Sequence, residues 1–125
     1  MATYDYTPGL GNVGAYQVSG KPFVTGAING KLTGGPHEIS FPNVTSEITI
    51  GNSDGSDDDM QWAVSANGFN TGNSFTQMAG GVATYRIKCT SIFVTGSDNI
   101  NVCAALTGIP DVALADNWSG SSGVG

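Results

Sequence analysis

Charge is what this chain has least of. Only 11% of its 125 residues are Asp, Glu, Lys or Arg, and His37 is the single histidine, whereas an ordinary globular domain is roughly 25% charged. General acid–base chemistry needs several placed titratable groups, and the candidates fail on count. His37 stands between Pro36 and Glu38 at the start of a strand pattern, away from the nucleophile and carboxylate that a triad would join to it. Serines are plentiful but no GxSxG elbow occurs. Glu38 and Glu47 flank what reads as a solvent-facing hairpin, not a cleft shared by two glycosidase carboxylates. The chain is therefore read as non-enzymatic.

Cations are scarcer still. Lys21, Lys31, Arg86 and Lys88 face ten acids, for a net charge of −6. No basic patch exists for nucleic acid, and anionic membrane surfaces are equally poor partners. No apolar stretch approaches the roughly 20 residues of a membrane span. The opening Met1–Tyr6 lacks the basic start and apolar run of a signal peptide, so synthesis in a cytoplasm is expected. Two cysteines without CxxC spacing or added histidines make no zinc site, and no cofactor is implied.

What is present is glycine, 19 residues of it, with Ser, Thr and Asn supplying the polar surface. Such short side chains lose little entropy when covered by a neighbour. Short alternating runs bounded by Gly, Asn, Asp and Pro predict strands: Glu38–Phe41, then Val44–Ile50 with Ile48 and Ile50 on one face, then Gln61–Ala66 with Trp62, Val64 and Ala66 together. Phe69 and Phe75 flank a turn at 70–73. Tyr85–Val94 and Ile100–Leu106, separated by the turn-rich 95–99, read as a β-hairpin. In that register Ile87, Cys89 and Phe93 share an apolar face with Ile100, Val102, Ala104 and Leu106. Cys103 then points away from Cys89, so a disulfide is not expected and both are read as small buried hydrophobes. The predicted fold is all-β, an antiparallel β-sandwich of jelly-roll type over residues 37–110.

Two flanking segments complete the organisation. Residues 1–36 are glycine-rich yet carry Tyr4, Tyr6, Tyr16 and Phe23, unlike a flexible linker. They read either as an extended arm packing on this domain or a neighbouring subunit, or as a first pair of strands of the same sandwich. The tail, residues 111–125, keeps Leu114 and Trp118 before becoming Gly/Ser-rich, and Trp118 is expected to dock on the domain or a partner. The acidic stretch 51–60 could collect a calcium ion, but its order does not match an EF-hand loop and a solvated loop is the simpler reading. Asn43-Val-Thr45 and Asn117-Trp-Ser119 match the glycosylation acceptor pattern by chance.

The run Tyr6–Gly26, with Thr90–Gly96 and Ala104–Pro110, resembles small virion structural proteins of tailed phages, notably marine T4-like phages. The resemblance covers the first quarter and the expected final hairpin. It implies a many-copy protein of the particle exterior, a capsid decoration or cement protein or a short fibre subunit. Such proteins form homo-oligomers, trimers among them, or join the major capsid protein and other virion components. Tyr4, Tyr6, Tyr16, Phe23 and Trp118 are the expected assembly contacts. Two other readings stand beside it: a filament subunit polymerising by strand addition, and a carbohydrate-binding β-sandwich using Trp62, Trp118 and the acidic loop.

Overall fold

A computed structural model describes residues 21–30, 36–53, 58–114, 117–118 and 122–124. Among the described residues eight strands form: β1 Pro22–Ile28, β2 His37–Ser40, β3 Asn43–Asn52, β4 Met60–Ala63, β5 Phe75–Gln77, β6 Val82–Tyr85, β7 Ser91–Thr95 and β8 Ile100–Pro110. A one-turn helix, Gly68–Thr71, and a 3-10 turn, Asp111–Leu114, are the helical pieces. The strands make two antiparallel sheets, ordered β1-β8-β3-β6 and β2-β7-β4-β5. The pairs β1·β8, β2·β7, β3·β6 and β4·β5 are those of one long hairpin eight strands deep. The contacts β3·β8 and β4·β7 arise when that hairpin is rolled up, which is the construction of a jelly roll. The expected β-sandwich is thus the observed fold.

Inward alternation follows the sequence on both sheets. Ile48, Ile50, Ile100, Val102, Ala104 and Leu106 line one inner face, and Ile39, Met60, Trp62, Ile92 and Val94 line the other. A smaller cluster of Val44, Ile109 and Leu114 fills one end. Pro22 opens an edge strand, where its missing N–H removes no ladder bond on the solvent side. Pro22–Ile28, which the sequence left between an arm and a first strand, pairs with β8 as the outer strand of the first sheet.

The hairpin expected between Tyr85–Val94 and Ile100–Leu106 does not form. β7 pairs with β2 and β4 in one sheet, and β8 with β1 and β3 in the other. The chain changes sheet between them at Gly96, whose φ of 94° suits glycine and whose hydrogen stands where a Cβ would lie 2.6 Å from the Asp59 carbonyl oxygen. Because β7 looks across the sandwich at β8 instead of lying beside it, Ile92 and Val94 face the core and Phe93 turns away from it.

The cysteines separate accordingly, and both are free thiols. Cys103 lies on the outer face of β8 between Val24 and Thr49, and is exposed, contrary to the expectation that both cysteines are buried. Cys89 is buried beside Thr45. The Thr45 hydroxyl donates to the Ile87 carbonyl at 2.9 Å and accepts the Cys89 N–H at 3.1 Å, with the thiol 3.3 Å away.

Burial lifts the Cys89 thiol from 9.0 to about 11, against a smaller downward pull from the Thr45 hydroxyl. Since the folded value lies above the unfolded one, the stabilisation is complete below pH 9 and is lost as pH rises through about 11. Denaturant titrations across that window should show the native chain losing at most about 2–3 kcal/mol that Cys89→Ala does not lose. Ellman's reagent should meet Cys103 alone in the folded protein and both thiols after denaturation; equal native reactivity would contradict the packing.

Candidate assembly surface

Of the residues expected to make assembly contacts, the two that are described, Phe23 and Trp118, belong to different clusters. Phe23 points inward from β1, half-buried, with its ring edge-on to Phe41 at 5.1 Å. Trp118 packs against Val44, Ile109 and Leu114, and its indole N–H donates to the Lys88 carbonyl. Of the two partners offered for Trp118, its own domain is the one it touches. Tyr4, Tyr6 and Tyr16 lie outside the described residues. So do residues 54–57 of the acidic stretch; among the described residues no three His, Cys, Asp or Glu side chains gather as metal ligands would.

Trp118 is held by a residue that composition gives no reason to notice. Asn117, at φ 44°, is buried with both amide atoms engaged. Its Oδ1 accepts the Thr90 N–H at 2.6 Å and the Ser91 N–H at 3.3 Å. Its Nδ2 donates to the Val64 carbonyl at 2.7 Å and the Ser91 carbonyl at 2.8 Å. The tail is thereby bonded to the backbone of β7 and to the segment leaving β4. The Asn43 amide likewise donates to the Ile109 carbonyl at 3.2 Å, so the side chains of both glycosylation-pattern asparagines serve the fold.

The sandwich has two open sides with different character. On the β1/β2 side, the edge is interrupted by Pro22 and by an irregular register between Thr25 and Ile28, where Ala27 has φ 54° and its N–H donates to Asn101 Oδ1 at 3.3 Å. Prolines and bulges of this kind discourage further strand pairing. On the β5/β6 side, Trp62, Tyr85 and Phe75 form an aromatic plug, with centroids 4.7 Å apart for Trp62–Tyr85 and 5.9 Å for Phe75–Tyr85. The Trp62 indole N–H is buried there with no acceptor among the described residues.

Neutral amides fasten this side. Gln77 Nε2 donates to the Ile50 carbonyl at 2.7 Å and the Gly81 carbonyl at 2.8 Å, joining the two sheets, and Tyr85 donates its hydroxyl proton to Gln77 Oε1 at 3.3 Å. Asn52 Nδ2 donates to the Asp58 and Gln77 carbonyls, and Asn52 Oδ1 accepts from Ser97. Over this base Phe75, Met78 and Val82 are exposed by 56%, 73% and 72%. Beyond the end of β6, Arg86 is 89% exposed with only a 3.8 Å contact to Glu47, a geometry that contributes little in water. That pair borders an open depression of about 430 Å³ completed by Ser46, Ile87 and Lys88.

Trp62 and Trp118 belong to separate clusters, so the structure does not assemble them into a shared platform. Comparison with protein-family models, curated proteins and solved structures finds no match to the chain. The sequence reading missed the β5/β6 edge and Asn117. The edge did leave a trace, Phe75, Met78 and Val82 standing in a stretch from 74 to 85 that holds no charged residue, whereas Asn117 left none.

Replacing Asn117 by Ala should cost about 2–4 kcal/mol, because the Thr90 and Ser91 N–H groups and the Val64 carbonyl lose their buried partner together. Urea unfolding measures the loss, and Trp118 fluorescence should shift to the red as the indole leaves its cluster. An unchanged midpoint would show that the tail does not brace the sandwich.

Proposed function

We propose that this chain is a non-enzymatic structural subunit of a phage virion exterior, a capsid decoration or cement protein or a short fibre subunit, made in the host cytoplasm and assembled in many copies. The observation that carries the reading is the contrast between a surface built from small neutral polar side chains and the exposure of Phe75, Met78 and Val82 along β5, the turn after it and β6, the strands that end the two sheets on one side. Large apolar groups left exposed along such a margin favour association with another protein surface. The jelly roll is a scaffold used in capsid proteins, and the resemblance of Tyr6–Gly26 to phage virion proteins points the same way. Because the same scaffold also serves lectins, the fold alone does not assign the role.

In this reading residues 1–20, with Tyr4, Tyr6 and Tyr16, reach the shell or a sister subunit, while the sandwich from Lys21 onward is the repeated body. Weak contacts repeated over many sites give firm attachment without any single tight interface. The homo-oligomer, a trimer among the options, and the major capsid protein are the partners.

Serum raised against the purified chain, applied with immunogold to intact T4-like marine phage particles, should label the exterior in a regular array. Absence of label from every such particle sinks the virion reading. Truncation separates arm from body: removal of residues 1–20 should preserve the β-type circular dichroism and melting temperature while abolishing attachment to particles. Removal of residues 1–30 strips β1 from β8 and should unfold the domain, and a stable 31–125 fragment would contradict the observed pairing.

A further inference from the structure

We propose that β6 is the pairing edge of a symmetric dimer, in which Gly81–Tyr85 of one copy adds antiparallel to Gly81–Tyr85 of a second copy about a two-fold axis at Ala83. This deepens the assembly reading and rests on it, naming the partner that the exposed edge receives.

The ladder itself defines the axis. Asn52 donates its N–H to the Gly81 carbonyl at 2.9 Å, and Ile50 lies opposite Ala83. Backbone groups alternate in direction along an antiparallel strand. The Gly81 carbonyl and the N–H and C=O of residues 83 and 85 therefore turn toward β3, and Val82 and Thr84 turn theirs outward. A two-fold axis at Ala83 sets Val82 against Thr84 of the second copy, and Thr84 against its Val82. Both pairs are of the doubly hydrogen-bonded type, about four bonds in all. The two four-stranded sheets become one of eight.

Nothing in the edge opposes this. From Val82 to Tyr85 there is no proline, lysine or acid, and the register against β3 is unbroken, in contrast to the interrupted β1 edge. Ala83 at the axis is small enough for two copies to meet there. Phe75 and Met78, on β5 and the turn after it, are exposed on the same side of the sandwich, β5 being the outer strand of the facing sheet.

Charge selects the antiparallel arrangement. In a chain of net charge −6, close approach of two copies is unfavourable unless opposite charges meet. The cations Arg86 and Lys88 follow the end of β6. Its beginning lies next to the acidic stretch: the Asn52 side chain donates to the Asp58 backbone carbonyl while the Asn52 N–H donates to the Gly81 carbonyl, and the exposed Asp59 follows Asp58 in the chain. With the axis at Ala83, Arg86 of one copy comes opposite Gly80 of the other, at that acidic end, and the relation is repeated by symmetry. A parallel arrangement would set acids against acids.

Sedimentation velocity on the full chain over a dilution series tests this. The native protein should show a concentration-dependent dimer that weakens as salt is raised. Val82→Lys, placed on the outer face, should leave the circular dichroism unchanged and weaken association at least about tenfold, since an edge lysine blunts pairing. Arg86→Glu should weaken it as well, and Arg86→Glu with Asp59→Lys should restore it. Restoration is the decisive result, because damage to the fold would not be repaired by a second charge change. If Val82→Lys unfolds the chain, the charge-swap set alone decides. A native chain that is monomeric at every concentration, or an oligomer indifferent to these changes, overturns the edge assignment. Regular gold labelling of particles in either of those cases leaves the virion reading standing, and absence of both dimer and label removes the two together.

Discussion

The pairing of β3 with β8 is the constraint on which the molecule depends. Four of the six strand contacts would exist in a flat, eight-strand-deep hairpin, and only β3·β8 and β4·β7 convert that hairpin into two facing sheets. Of these, β3·β8 is the longer, with eight partnered positions from Asn43 opposite Pro110 to Asn52 opposite Ile100. Each of its inward isoleucines, Ile48, Ile50 and Ile100, is wholly buried, which contributes about 1.5–3 kcal/mol apiece. A slip of one residue would turn Asn101, Cys103 and Ala105 inward in place of Ile100, Val102 and Ala104. β1 and β6 extend that sheet on its two sides, each carried by one of the two strands this pairing joins.

Scarcity of charge shapes how the seams between elements are closed. Where many domains use ion pairs, this one uses carboxamides: Gln77 between the sheets, Asn52 between two loops and a strand, Asn117 between the tail and β7. A neutral amide costs less to desolvate than an ion and bonds in two directions at once. It is also indifferent to pH, so of the shifts resolved among the described residues only the Cys89 thiol adds a pH-dependent contribution, and that on the alkaline side.

Strand positions were legible in the sequence where alternation was clean. Ile48 and Ile50, and Ile100 through Leu106, were assigned to the core and lie in it. The sandwich class followed from the spacing of such runs. What failed was the choice of neighbours, because a period of two reports which face of a strand is buried but not which strand lies beside it. In a jelly roll, consecutive strands commonly fall in different sheets, so the local inference of a hairpin from 85 to 106 gave the wrong partner for β7 and turned Phe93 inward, while the expected burial of Cys103 came from the general habit of free cysteines and not from the register. β1 was obscured for another reason: the irregularity between Thr25 and Ile28 breaks alternation at the point where the strand would declare itself. Asn117 was invisible because a buried amide and a solvent-facing one are the same letter. Its role is fixed by backbone groups more than twenty residues away in sequence.

The two open sides of the sandwich are chemically unlike, and their placement bears on assembly. In the sheet order β1-β8-β3-β6 the outer strands are three strand spacings apart, roughly 14 Å. Residues 1–20 join the sandwich at Lys21, whose carbonyl accepts the Leu106 N–H beside β1. The edge that carries Val82, with Phe75 and Met78 close by, lies across the sheet from that point. Under the proposed assembly, a contact made through β6 and one made through the chain that enters at Lys21 would use opposite margins of the sheet. Two such attachments would let each copy be held by two neighbours at once. Under that geometry the loss of one contact lowers the local concentration of the other without releasing the subunit, which is how a lattice of individually weak contacts holds.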